Sequence, residues 1–301
     1  AGFVLCDCVR NRGLRRTWQR NKSKPPHKKS RFLKNFIQRS LTGFLFALVT
    51  LISILWHEVT FTVFYAVVMI LCLIEYHHIL RKVHGHPLMA WQIILSLLLY
   101  IGGWLVVSKT IPFSALSLTI PLFFLVFITE LYRRKRRVAQ NLAMTFLPVI
   151  HVALPLVLLL AIAYISGTYD YRPVLAVVLF TWTFDTFAYI FGMLVGKNKI
   201  APRISPRKSW EGFSGGLVAA AGLALLLSAQ WSLFDPIRWV VISMIVSIGA
   251  TFGDLVESVL KRAAGMKDSG RILPGHGGVL DRFDGFLFAI PFVFSYLYLI
   301  N

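Results

Sequence analysis

The chain has 301 residues, 56% of them hydrophobic and only 15% charged, with a mean hydropathy of +0.67. Soluble domains carry about 25% charged residues, so a chain this apolar lacks the polar surface to stay dispersed in water, and a soluble globular fold is excluded. The net charge of +19 raises nucleic acid as a partner, but the Lys and Arg residues fall between apolar stretches rather than on one soluble face. That placement suits membrane orientation, anionic lipid and phosphorylated substrates and argues against nucleic acid.

Residues 1–34 are basic and polar, with Pro25-Pro26 and a Lys/Arg-rich run, and read as a flexible cytosolic tail resting on anionic lipid. Nine apolar stretches follow, near 37–56, 59–80, 91–108, 112–131, 142–164, 173–195, 213–230, 237–257 and 283–300. Each is close to the ~20 helical residues that cross a hydrocarbon core. The expected fold is therefore all-α and polytopic, with about nine transmembrane helices. Of the 32 Lys and Arg residues, all but Lys109, Arg172 and Arg238 fall on the side of the tail. The positive-inside rule then puts the N-terminus in the cytosol, and the odd number of spans puts the C-terminus outside.

Within the early spans, Glu75 and Glu130 sit near cytosolic helix ends and are expected to snorkel to the interface. His77, His78, His84 and His86 read as an interfacial loop, not a metal cluster. The spacing of Cys6, Cys8 and Cys72 gives neither a disulfide framework nor a zinc site. In the sixth span Asp185 lies 12 residues before Lys197, roughly 18 Å along a helix. An intramembrane carboxylate is a functional candidate, here implying a cavity that dips below the headgroups. Gly192 and Gly196 before Lys197 do not make a phosphate-binding loop, because the spacing is one residue short and no Ser or Thr follows the lysine. Gly212 and Gly216 suit close helix packing.

Two loops on the cytosolic side stand apart. The first, 196–212, contains Ser205, Arg207, Lys208 and Ser209 ahead of the seventh span, where basic and hydroxyl groups beside a helix N-terminus suit an anion. The second, 258–284, is flanked and filled by acids. Asp254, Glu257, Ser258 and Lys261 stand at i, i+3, i+4 and i+7, one face of a helix, and that face must look into a polar cavity. Pro274, Gly275, His276, Gly277 and Gly278 form a turn open to a phosphate. Asp281 and Asp284, at a helix start, are placed to reach a divalent ion together with Asp254. Hard oxygen ligands favour Mg²⁺ over zinc. Lys261, Arg262, Lys267 and Arg271 would neutralise phosphate oxygens.

The stretch from Ser258 to Asp284 resembles the signature of the phosphatidate cytidylyltransferase (CDP-diacylglycerol synthase) family. It carries Ser258, Lys261, Arg262, Lys267, Asp268, Pro274, His276, Gly277, Gly278, Asp281, Arg282 and Asp284 at the family's spacing. The likeness extends back through Gly253-Asp254 and the SPRKSWEG loop to Asp185-Thr186, roughly 170–301. Arg207 and Ser209 stand where members more often have Lys and Thr, changes that keep charge and hydroxyl. The chain thus divides into the tail at 1–34, N-terminal spans at 35–170 and a catalytic region at 171–301. The resemblance implies a helical fold with a cavity open to the cytosol and the inner leaflet, often in a homodimer. It implies a metal centre on Asp254 and Asp281, with Ser258 and Lys261 beside it and a second, monovalent cation such as K⁺. It further implies that CTP and phosphatidic acid meet there to give CDP-diacylglycerol and pyrophosphate, Arg262, Lys267, Asp268, His276, Gly277, Gly278, Arg282 and Asp284 binding the substrates. The compact layout points to a bacterial cytoplasmic membrane. A CTP-dependent lipid-alcohol kinase would transfer the γ-phosphate instead, and a transporter would line a route through the midplane, whereas these charges gather at one face.

Overall fold

A computed structural model describes residues 28–300 apart from Arg271, Pro274 and His276, and the side chains from Gln38 onward apart from Arg39. Most of the expected tail, residues 1–27, lies outside the described residues. Its last part does not: Lys28–Trp56 form one helix, α1. Residues 28–34 are good helix formers apart from the serine, with apolar Phe32 and Leu33, so the helix continues outward from the apolar span rather than ending at it.

The remaining elements are α2 (Glu58–Lys82), α3 (Met89–Val107), α4 (Ile120–Tyr132), α5 (Val138–Pro148), α6 (Leu154–Ala163), α7 (Tyr171–Leu194), a hairpin of β1 (Lys199–Ala201) and β2 (Ser205–Ser209), α8 (Trp210–Gln230), α9 (Pro236–Ala263) and α10 (Leu280–Ile300). A 3₁₀ turn at Phe113–Thr119 leads into α4, and a π turn at Val149–Ala153 joins α5 to α6. Among the described residues eight helical stretches are long and apolar enough to cross a membrane, and the apolar part of α1, Ser40–Trp56, is shorter. Every expected span is a helix, and the protein is an all-α, polytopic integral membrane protein.

Prolines shape the fifth span. Pro148 and Pro155 have no N–H to give to the carbonyls of Met144 and His151. The ladder slips by one residue into the π turn between them, and the buried Gln92 of α3 donates Nε2 to the Met144 carbonyl at 2.9 Å. In hydrocarbon no water would do this, so another helix must. A second finding concerns the loop between α7 and α8. Residues 199–209, read from the sequence only as part of a loop, form an antiparallel hairpin pairing Lys199 with Ser209 and Ala201 with Ser205. Its end caps α8: Ser209 Oγ accepts the Gly212 N–H at 3.2 Å, an N-cap arrangement.

The C-terminal helices pack backbone to backbone. A Cβ on Gly253 would stand 2.6 Å from the Asp284 carbonyl and 2.7 Å from Gly285 Cα, and one on Gly249 would stand 2.6 Å from Ala289 Cα. Gly212 and Gly216 let α8 approach α7 in the same way, with a Gly216 Cβ only 2.8 Å from the Phe184 carbonyl. Small residues at such contacts are how helices associate where lipid is as apolar as leucine. The α9–α10 contact presses the polar face of α9 against the start of α10, and the site forms there.

Candidate active site

Helix α9 runs past the expected span to Ala263, so Ser258, Lys261 and Arg262 are helical and the true loop is 264–279. The predicted face forms. Ser258 Oγ donates to Asp254 Oδ1 at 3.3 Å, and Lys261 Nζ lies 3.3 Å from Glu257 Oε1. From α10, Asp281 Oδ1 accepts Lys261 Nζ at 2.6 Å, and its Oδ2 accepts the Ser269 and Gly278 N–H groups at 2.9 and 2.8 Å. Carboxylates, a hydroxyl, an ammonium and backbone amides from α9, the loop and α10 thereby meet in one place.

The hairpin supplies the opposite wall. Lys208 Nζ lies 2.7 Å from Asp254 Oδ2 and donates to the Thr251 carbonyl at 3.1 Å. Asp185 of α7 lies within electrostatic reach of Lys208, Asp254 and Arg282. Protein atoms surround it, yet solvent reaches it through a cavity of about 230 Å³. That cavity is two-sided in chemistry: Asp185, Arg207, Lys208 and Asp254 on one part, Phe184, Tyr189, Ile200 and Phe213 on the other.

Other expected residues lie elsewhere. Lys267 and Asp268 line a separate cavity of about 570 Å³ with Glu75, His78 and Lys82. Arg262 is exposed and donates to the Met266 carbonyl at 2.8 Å, closing its own loop. Arg282 borders a small pocket with Phe46 and Thr181. Ser205 pairs in the hairpin and lines none of these cavities, while Ser209 lines the catalytic-side cavity and caps α8. In the glycine turn, Leu273 N donates to the Gly277 carbonyl at 3.0 Å, and Gly277 takes φ +87°, a conformation that favours glycine. Gly278 donates its N–H to Asp281, leaving that amide less free for a phosphate than expected. His276 lies outside the described residues.

The largest correction concerns Glu75. It does not snorkel: it is 3% exposed. Its Oε2 accepts Ser269 Oγ and Leu280 N at 2.9 Å each, and its Oε1 accepts Val279 N at 3.1 Å. A carboxylate from α2 thus caps the first turn of α10 and pins the loop that holds Asp281. Such an N-terminus attracts an anion. A methyl group on Gly270 or Gly278 would overlap this carboxylate or the Ser269 hydroxyl. Glu130 is likewise buried, paired with Arg133 at 2.7 Å and with Asn141 Nδ2 at 2.6 Å. Cys72, Glu75 and Ile79 share the buried stripe of α2, but the exposed side, with Val59, Val63 and Val67, is equally apolar, so the sequence carries no sign of Glu75's role.

Carboxylates outnumber the cations beside them. Glu257 is fully buried, with Lys261 at ion-pair distance and Asp284 beside it. Asp284 lies within electrostatic reach of Glu257 and Asp254. Buried carboxylates set this close together call for a cation or a shared proton. All donors are hard oxygens, which fits Mg²⁺. No three His, Cys, Asp or Glu side chains among the described residues are grouped to hold an ion alone. Mg²⁺ does not require that, being commonly held by one or two carboxylates together with substrate phosphates.

Fold and site together define an integral membrane protein with a cavity of charged and aromatic lining between α7, the hairpin, α8 and α9. Residues 37–300 match the model of the Cytidylyltransferase family, and the chain belongs to that family. It is 51% identical over 115 residues to a phosphatidate cytidylyltransferase of Staphylococcus saprophyticus, covering 38% of this chain and 44% of the relative. It is 49% identical over 121 residues to one of Bacillus subtilis, covering 40% and 45%. A third, from Staphylococcus epidermidis, is 44% identical over 144 residues, covering 44% and 55%. The chain spans about half the length of these relatives.

Proposed function

We propose that the protein transfers the cytidylyl group of CTP to phosphatidic acid, giving CDP-diacylglycerol and pyrophosphate. The observation that carries this reading is the pair of lysine–carboxylate contacts, Lys208 with Asp254 and Lys261 with Asp281, the first of them in the wall of a cavity that has a charged side and a larger apolar one. Family membership and the names of the relatives point the same way.

A phosphate oxygen of phosphatidic acid attacks the α-phosphorus of CTP. The bond from that phosphorus to the bridging oxygen breaks, and pyrophosphate leaves with the electron pair. A phosphomonoester has its second pKa near 6, so at pH 7 the nucleophile is already mostly dianionic and no strong general base is needed. The difficulty is bringing two polyanions together. Lys208 and Arg207 face the cavity and neutralise the lipid phosphate. Lys261 is placed to meet the triphosphate, held in line by Glu257 and Asp281. Asp254 and Asp281 would hold Mg²⁺, which when bound supplies screening and charge stabilisation at the phosphates. The phenylalanine-lined part of the cavity takes the start of the acyl chains. By the positive-inside rule this end of the bundle faces the cytosol, of a bacterial inner membrane in this reading, and the lipid enters from the inner leaflet. The monovalent cation and homodimer implied by the resemblance belong to the same proposal and carry no step of it.

The test is purified protein in lipid micelles with CTP labelled at the α or the γ phosphate. The α label is expected in a chloroform-soluble product only when phosphatidic acid and Mg²⁺ are both present. Asp254→Ala should slow this roughly a hundredfold or more. Transfer of the γ label instead, or a loss below about threefold in Asp254→Ala, would overturn the reading.

A further inference from the structure

The α2–α3 and α4–α5 loops lie on the same face as the candidate active site but line none of its cavities. Between them is a separate cavity of about 430 Å³, lined by His84, His86, Lys135, Arg136 and Arg137. No acidic side chain lines it. Glu130, near the end of α4, is buried and already engaged by Arg133 and Asn141.

Basic residues on a cytosolic loop commonly serve only to orient a membrane protein, and that role asks for no particular shape. These two loops are shaped. The His86 N–H donates to Asn141 Oδ1 at 3.0 Å, Arg133 Nη1 donates to the His86 carbonyl at 2.8 Å, and the Leu88 N–H donates to Thr145 Oγ1 at 3.0 Å. Four non-glycine residues among the described ones have positive φ, and three of them are His84 (59°), Arg134 (50°) and Arg137 (64°). Such backbone persists only where surrounding contacts impose it, and it recurs at ligand clamps. A concave, acid-free group of three cationic side chains and two imidazoles held this way suits an anion.

The neighbourhood indicates the source of the anion. The cavity sits at the end of the span Phe113–Tyr132, which is 11% buried against 28% or more for the other seven long spans. Leu131 and Tyr132, immediately before the basic run, are 72% and 79% exposed. The cavity therefore opens where lipid-facing surface meets headgroup level, and basic pockets between transmembrane helices hold phosphorylated headgroups. We propose that His84, His86, Lys135, Arg136 and Arg137 form a second, non-catalytic site for the phosphate of an anionic phospholipid.

The proposal stands apart from the catalytic reading, so its test omits CTP and uses a lipid that the proposed reaction does not consume. Full-length protein is placed in phosphatidylcholine nanodiscs, and acylation of each lysine by an N-hydroxysuccinimide ester is followed by mass spectrometry. Phosphatidylglycerol in the bilayer should slow labelling of Lys135 about fivefold or more and saturate. Lys199, exposed on the same face, should change little. Arg136→Gln leaves the backbone bonds of the loop intact and should cut the protection of Lys135 to about twofold or less. Equal, unsaturating protection of Lys135 and Lys199 would reveal diffuse attraction and overturn the site. Equal protection by inorganic phosphate would overturn its assignment to lipid.

Discussion

Replacing Glu75 by Gln tests the link between the N-terminal helices and the catalytic loop. The side chain keeps its size, but one carboxylate oxygen becomes an NH₂ facing a donor. If that oxygen is Oε2, the contact with Leu280 N is lost while the Ser269 hydroxyl must turn to accept; if Oε1, the contact with Val279 N is lost. A hydrogen bond to a charged group is worth about 1.5–3 kcal/mol, and the anion at the α10 N-terminus adds roughly 0.3–1 kcal/mol. The local cost is therefore about 2–4 kcal/mol. Hydrogen exchange at the Val279 and Leu280 amides should quicken roughly thirtyfold or more, the factor that 2 kcal/mol represents. Cytidylyl transfer should fall comparably, because Asp281 is oriented by the same loop. Glu75→Asp keeps the charge and should restore part of both. Exchange at those two amides unchanged within about twofold would refute the capping role, whatever happened to activity.

Lys261→Met leaves Asp281 and Glu257 facing each other without their cation. Breaking a buried pair in this way costs about 3–5 kcal/mol, so both thermal stability and turnover should drop, and a wild-type melting temperature would count against the pair. Gly253→Ala puts a methyl group 2.6 Å from the Asp284 carbonyl. Neither helix can yield without moving the site, so about 1–3 kcal/mol of overpacking and a loss of activity are expected, and a fully active variant would show the contact to be softer than drawn. Gln92→Leu strips the Met144 carbonyl of its donor at the proline step, costing about 1–3 kcal/mol in a thermal unfolding measurement. No change there would mean that another group reaches that carbonyl.

What the sequence made legible was periodic or local. Apolar length located every span, and the 254–261 spacing placed Asp254, Glu257, Ser258 and Lys261 on one face, as the Ser258–Asp254 and Lys261–Glu257 contacts bear out. Glu75 was misplaced for a physical reason. In water, hydrophobic periodicity separates the buried face of a helix from the wet one, but on α2 the lipid-facing Val59, Val63 and Val67 are as apolar as the core, so nothing marked Glu75 as inward. Its partners, Ser269, Val279 and Leu280, lie about two hundred residues away. Gln92 was passed over likewise, because its partner exists only where Pro148 removes a donor. The hairpin at 199–209 was hidden by prolines and charges that usually mark irregular loops.

The Glu75 contacts also bear on how the chain can be divided. A fragment beginning at residue 171 would carry all the signature side chains, yet the Ser269 hydroxyl and the Val279 and Leu280 amides would have lost their shared acceptor. Supplied as a separate polypeptide, the first 170 residues would have to return that one carboxylate to the start of α10. The two halves are therefore suited to complementation from separate genes, with reassociation read directly as restored protection of two amides.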